Sequence, residues 1–242
     1  MVSWFIADLH LDTSRPAIIR LLITFLQQLK GRADALYILG DLFEYWVGDD
    51  ALDSPAAAGF LPVVAELREL ADSGVALYFM HGNRDFLVGE QFAAATGCIL
   101  LPEQHLMDLY GTPTLLLHGD TLCTDDVEYQ QVRKLFRNPP WQQQFLALPL
   151  EARIRQAEAM RAQSRESMQG KAAAILDVNQ QAVEAVFQQT GVSRIIHGHT
   201  HRPAVHDVAL DGKMLQRVVL GDWHEDKGSF LRVDAEKMTL EF

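Results

Sequence analysis

The hydrophobic and polar positions divide the chain into two textures. Residues 2–7, VSWFIA, form an apolar run that reads as a buried strand delivering Asp8 and His10 to its C-terminal end. A helix-period pattern follows, opened by Ser14 and Pro16 and running to about Lys30. The strand ALYIL then closes on GDLFEYW, and a helical stretch from Phe60 to Ser73 leads to the strand VALYFM, which closes on HGNRD. A helix near Leu87 to Ala95, short strands near Ile99 and Leu106, and the strand PTLLLHGD complete this half. Each polar cluster comes directly after a strand, where α/β sheets carry their sites, so the pattern predicts several clusters on one rim. After Thr124 the pattern is helical to about Gln189, broken at NPPW, Asn138 to Trp141. VSRIIHGHTHRP returns to strand, and PAVHDVAL, MLQRVVLGDWH, GSFLRVDA and MTLEF read as an antiparallel β meander. The expected architecture is α/β: a β-sandwich flanked by helices, formed by residues 1–124 and 191–242, with a helical cap or insertion over residues 125–190.

Composition narrows the function classes. With 242 residues and 48% hydrophobic content the chain is long enough for one large core. A net charge of -11 argues against a nucleic-acid binder that blankets phosphates with cations. The charge is uneven: from Arg133 to Lys171 there are eight Lys and Arg against three Glu, a net of +5, which leaves -16 for the remainder. The N-terminal MVSWFIADLH has neither a basic stretch nor a long apolar one, and Cys98 and Cys123 have no CxxC spacing. Together they suggest a cytoplasmic protein with two free thiols.

The clusters are Asp8 with His10; Gly40 with Asp41; Gly82, Asn83, Arg84 and Asp85; His118, Gly119 and Asp120; and Gly198, His199, Thr200 and His201. One such Asp by itself reads as a cap or turn residue and one His as a satisfied histidine. Alternation along a strand would point Asp8 with His10, and His199 with His201, to the same side. The set of oxygen and nitrogen donors exceeds what one tetrahedral zinc needs and contains no sulfur, so two divalent ions fit better, with Mn²⁺, Fe²⁺ and Zn²⁺ all compatible. Two such ions suit hydrolysis of a phosphate diester or pyrophosphate, and Arg84 offers a fork of donors to a phosphate oxygen. His197 shares the periodicity of His199 and His201, and spacing does not rank the three. His81, His105, His206 and His224 read as structural or supporting.

The order D-x-H, G-D, G-N, H and G-H-x-H resembles the calcineurin-like metallophosphoesterases. That resemblance implies that Asp8, His10, Asp41 and His201 hold one ion and Asp41, Asn83, His118 and His199 the other, with Asp41 bridging; His197 then falls outside the ligand set. The stretches FIADLHL, ADALYILGDLFEYWVGDD, HGNRDFL, LLHGDTLCTDD, DVNQQAV, IHGHTHRPAVH and RVVLGDWH are further similar to the UDP-2,3-diacylglucosamine hydrolases of lipid A biosynthesis. This implies water attack at the α-phosphorus of UDP-2,3-diacylglucosamine, giving UMP and 2,3-diacylglucosamine 1-phosphate, with two Mn²⁺ per chain. It also implies a monomer attached peripherally to the cytoplasmic face of the inner membrane. Asp41, Asn83, Arg84 and His199 would carry catalysis, and Asn83, Arg84, Asp126, Ser164, Met168, Lys171 and His199 would contact substrate. Met168 stands where relatives of this kind use a polar residue.

Between Phe136 and Met160 the apolar residues Phe136, Trp141, Phe145, Leu146, Leu148, Leu150, Ile154 and Met160 interleave with cations. Two readings stay open: an ordinary helical subdomain, or a cap that lines a lipid site and turns a basic face to an anionic membrane. Two rival functions also remain, a dinuclear phosphodiesterase for a soluble nucleotide and a non-catalytic binding module of the same fold.

Overall fold

The computed structural model describes residues 1–168, 171 and 175–242. Two sheets face each other. The first has the order β11-β10-β1-β2-β3-β4, formed by β1 (Val2–Ile6), β2 (Ala35–Ile38), β3 (Ala76–Met80), β4 (Ile99–Leu101), β10 (Phe230–Asp234) and β11 (Met238–Glu241). The second has the order β5-β6-β7-β9-β8, formed by β5 (Gln104–Leu109), β6 (Thr112–Leu117), β7 (Arg194–His197), β8 (Ala204–Leu210) and β9 (Lys213–Val219). Strands β1 to β4 pair in parallel, as do β6 with β7 and β7 with β9.

Period-two alternation divides the core among layers. In β2, Leu36 and Ile38 face the helices while Ala35 and Tyr37 face the other sheet. Both faces are therefore apolar, which is why ALYIL is a continuous hydrophobic run. Helices α1 (Pro16–Leu29), α2 (Leu61–Asp72) and α3 (Glu90–Thr96) cover the outer face of the first sheet. α1 buries Ile18, Ile19, Leu22, Phe25, Leu26 and Leu29, each worth roughly 1.5–3 kcal/mol of burial. Pro16 starts it, and Arg15, not Ser14, holds the capping position without a side-chain hydrogen bond.

The segment after Thr124 forms α4 (Val127–Phe136), α5 (Pro139–Leu146), α6 (Leu150–Met168) and α7 (Gln180–Thr190). The break at NPPW falls between α4 and α5, where Asn138 accepts the N–H of Trp141 and prolines fill the first turn. Two expectations need correction. α7 does not belong with the inserted helices: its Val183 and Phe187 pack with Leu115, Leu117, Ile195 and Val208 on the outer face of the second sheet. Nor do the last four strands make one meander, since β8 and β9 pair in the second sheet while β10 and β11 join the first beside β1. The alternation of those strands was legible, but choice of partner depends on contacts distant in sequence. Among the described residues no helix is long and apolar enough to cross a membrane.

Candidate active site

The parallel register aligns the strand ends. Ile6 pairs with Ile38 and Ile38 with Phe79, so the loops carrying Asp8, Asp41 and Asn83 emerge side by side. In the second sheet Leu116 pairs with Ile196, which sets the His118 loop beside the His199 loop. The candidate ligands sit beyond the strands, because β1 stops at Ile6 and β7 at His197. Strand alternation therefore does not pair them, contrary to the sequence-based expectation. Instead Asp8, His10, Asp41, His199 and His201 all have φ between 47° and 69°. That left-handed conformation is strained for residues with a Cβ, and residues held in it collect at functional sites.

Glycines let these loops close on one another. A Cβ at Gly40 would lie 2.5 Å from Gly82 Cα, one at Gly82 would lie 2.1 Å from Asp41 Oδ1, and one at Gly198 would lie 2.3 Å from Asp8 Oδ2. The G-D, G-N and G-H pairs of the sequence thus have a steric cause. Asp85, fully buried, accepts the backbone N–H groups of Asp41, Leu42 and Gly82 at 3.2, 2.8 and 2.8 Å and fixes the Asp41 loop. Burial and the nearby Asp41 push its carboxyl up to about 6.

Two sets of donor atoms converge. In one, His10 Nε2 lies 3.2 Å from His201 Nε2 and 3.8 Å from Asp41 Oδ2, while Asp8 Oδ1 lies 3.5 Å from His201 Nε2. In the other, Asn83 Oδ1 lies 3.0 Å from His118 Nε2 and 2.9 Å from His199 Nδ1, and His118 Nε2 is 3.7 Å from Asp41 Oδ2. Asp41 Oδ2 stands between the sets. Asp8, Asp41 and His118 also lie close enough to share an ion.

These residues fit divalent metal. Asp8 Oδ1 is buried without a hydrogen-bond partner, and its other oxygen accepts the His199 N–H at 2.7 Å. The Asn83 amide, turned nitrogen-inward, would donate to Asp41, His118 and His199 and accept from Arg84 Nε; oxygen-inward it presents lone pairs that a cation, like a protonated ring nitrogen of His118 or His199, can satisfy. Burial would raise the Asp8 carboxyl, but His201, His118 and His10 bring it down to about 2. Burial opposes a charge on His201, yet Asp222 and Asp8 carry it up to about 10. For His199, burial and neighbouring His118 push it down to about 4. A carboxylate set crowded by imidazoles, one of them kept protonated, is where a cation can replace protons.

His197 is also fully buried, but its Nε2 faces the Arg217 guanidinium at 3.1 Å and its Nδ1 lies 2.8 Å from Gly198 O. A cation against one ring nitrogen leaves it apart from both donor sets. His81 Nε2 lies 2.6 Å from Val88 O, His224 lies 3.6 Å from Asp222, and His105 and His206 sit in β5 and β8.

A cavity of about 540 Å³ opens from this rim under α4 to α6. Its floor holds His10, Asp41, Asn83, Arg84, His199 and His201, and its far wall holds Phe86, Phe136, Trp141, Phe145 and Met160. Phe86 stacks on Phe136 at 5.7 Å, and Trp141 stacks on Phe145 at 5.1 Å.

Residues 1–203 match the calcineurin-like phosphoesterases. UDP-2,3-diacylglucosamine hydrolases are similar over nearly the whole length: that of Nitrosococcus oceani is 52% identical across 95% of this chain and 90% of its own. Those of Serratia proteamaculans (52%, 99% and 98%) and Stenotrophomonas maltophilia (51%, 100% and 98%) are alike in extent. The chain is a calcineurin-like phosphoesterase.

In this phosphoesterase the other residues expected at the substrate also line the cavity: Asp126, Ser164 and Lys171. Asp126 caps α4 and pairs with Lys171 at 2.8 Å, so the two offset each other's charge. The Met168 side chain lies outside the described residues. Of the apolar residues between 136 and 160, Leu150 and Ile154 pack on the core and Leu146 and Leu148 face solvent. Sequence reasoning missed Tyr129, whose hydroxyl donates to Asp120 at 2.8 Å and whose ring stacks on His199. It also missed Asp222, 3.4 Å from His201 Nδ1, and Glu44, 3.3 Å from His10 Nδ1. GDWH and GDLFE contained the last two, but their meaning depends on which histidine nitrogen faces which neighbour.

Proposed function

We propose that this protein hydrolyses the pyrophosphate of UDP-2,3-diacylglucosamine by water attack at the α-phosphorus, releasing UMP and 2,3-diacylglucosamine 1-phosphate for lipid A biosynthesis. The observation that carries this reading is the single cavity joining a rim of metal-type donors to an aromatic wall. A soluble nucleotide would need the rim alone; a glycolipid uses both ends.

In this reading Asp8, His10, Asp41 and His201 hold one ion, and Asp41, Asn83, His118 and His199 the other, with Mn²⁺ in both places. Ions there supply Lewis-acid stabilisation of phosphoryl oxygens and activation of water. The chain's own residues do the rest. Arg84, at the floor of the cavity, forks its guanidinium onto a phosphate oxygen and holds the phosphorus in line. His199, from the second sheet, and Asn83, from the first, face the same oxygens. Asp126, Ser164 and Lys171 receive the glucosamine and its phosphate, and the aromatic wall shelters the acyl chains from water.

The inserted cap comprises α4 to α6, with the core formed by the two sheets, α1 to α3 and α7. Val127, Val132, Leu135, Leu146 and Leu148 are exposed on the cap, which also carries exposed Lys134 and Arg155, and this supports peripheral attachment to the cytoplasmic face of the inner membrane, where the protein acts as a monomer. Incubation of metal-free and Mn²⁺-loaded protein with UDP-2,3-diacylglucosamine and with a small chromogenic phosphodiester tests the reading. UMP and the sugar phosphate should form only in the loaded sample; turnover of the diester without the lipid would favour a soluble phosphodiesterase. Flotation with anionic vesicles tests the attachment.

A further inference from the structure

One chain of contacts ties the rim to the helices above it. His10 turns Nε2 towards His201 and Asp41, so its Nδ1 points away from the donor set; that buried nitrogen makes no hydrogen bond, and Glu44 Oε2 lies 3.3 Å from it, within ion-pair reach. Glu44 is held from behind: its backbone N–H donates to Leu11 O at 3.0 Å, in the segment where Phe43 bridges to Leu11. Its other oxygen, Oε1, contacts the guanidinium of Arg161 on α6. Side-chain exposures of 14%, 17% and 13% for His10, Glu44 and Arg161 put all three largely out of solvent, where such contacts are weakly screened. α6 has a separate anchor in Arg153, which pairs with Asp50 and donates to Val47 O and Leu148 O. Arg161 is thus not required merely to attach the helix.

We propose that Glu44 is a positioning residue for one of the two metal ions and that, through Arg161, it couples the seating of α6 to the affinity of that ion. The inference rests on the reading that His10 is a ligand of that ion. A carboxylate at the far nitrogen of a metal-binding histidine fixes the ring and its tautomer, and loss of such a partner typically weakens binding about 10- to 100-fold. Arg161 fixes the carboxylate in turn. Coupling of this kind is reciprocal, so the ion must also steady α6.

Titration of Mn²⁺ into metal-free protein, with amide exchange followed across residues 150–168, tests the link in the wild type and in H10A, E44Q, E44A and R161A. E44A should lose about 10- to 100-fold in affinity for one ion and leave the other unchanged, with the isosteric E44Q and R161A affecting the same ion less. Mn²⁺ should slow exchange in α6 of the wild type and not in E44A. Wild-type affinity for both ions in folded E44A and E44Q, or α6 exchange indifferent to Mn²⁺ in the wild type, would overturn the link while leaving His10 as a ligand if H10A loses an ion. If H10A binds both ions as the wild type does, the ligand assignment fails and the link with it.

Discussion

The rim and the cap are built on opposite principles. At the rim, five ligand candidates are held in a left-handed backbone conformation, glycines allow no added methyl, and Asp85 ties three amides of neighbouring loops together. In the cap, α4 has no buried residue, α5 has only Phe145, and the aromatic wall faces a cavity. Geometry at the rim is fixed before substrate arrives, as metal sites and electrostatic catalysis need. The cap provides area, and on the proposed reading a surface for flexible acyl chains can vary in detail. Chemistry and selectivity should therefore separate by region.

The strongest way to break that separation is Asp41→Ala. It should release both ions and reduce turnover of lipid and small diester alike, by several kcal/mol of lost stabilisation, or on the order of 10³-fold. Metal analysis and kinetics on both substrates check this; full metal content with near-normal rates would remove Asp41 as the bridge. Gly198→Ala comes next. The new Cβ meets Asp8 Oδ2 at 2.3 Å and Ala7 Cβ at 2.7 Å, and overpacking of about 1–3 kcal/mol should weaken Mn²⁺ binding about 10- to 100-fold. Calorimetric titration measures it.

The same contrast explains what could be read from the chain. Asp41, Asn83, His118 and His199 were legible because each is next to a glycine, and the rim as a whole because strand ends in parallel register carry their loops to one place. His197 shows the limit: spacing put it with His199 and His201, the resemblance alone set it apart, and the physical reason, Arg217 against its Nε2, lies twenty residues on in a neighbouring strand. α7 shows another limit, since its helical period was plain but the sheet it covers was not. Glu44 and Asp222 act through which nitrogen of a histidine they face, a fact of three dimensions. In the cap, composition was legible but allocation was not: Phe136 and Trp141 turn to the cavity, while Leu146 and Leu148 turn to solvent.

Changes in the cap should produce the opposite signature from those at the rim. Trp141→Ser combined with Phe136→Ser removes aromatic surface worth roughly 1.5–3 kcal/mol per side chain. kcat/KM for the lipid substrate should fall at least about 10- to 100-fold, while the small diester and Mn²⁺ affinity stay within about twofold. Equal loss on both substrates would mean that the cap shapes the rim rather than the selectivity.

The smallest expected effect is a pH dependence confined to the rim. His201 is carried up to about 10 in the fold despite burial, by Asp222 and Asp8, against about 6.5 unfolded. In metal-free protein this contributes stability that is fully present below about pH 6.5 and is lost as pH rises towards 10. Mn²⁺ bound by His201 must displace that proton, so the melting-temperature gain on loading should grow across the same interval. Thermal melts of metal-free and loaded protein between pH 6 and 9 measure the trend, and His201→Gln should flatten it.

The central claim is that the rim delivers water to the α-phosphorus while the cap holds the lipid. Mass spectrometry of the products formed from UDP-2,3-diacylglucosamine in ¹⁸O water with Mn²⁺ tests it most directly. The account predicts one ¹⁸O in UMP and none in 2,3-diacylglucosamine 1-phosphate. Label in the sugar phosphate would mean attack at the other phosphorus, and would contradict the placement of the substrate between rim and cap.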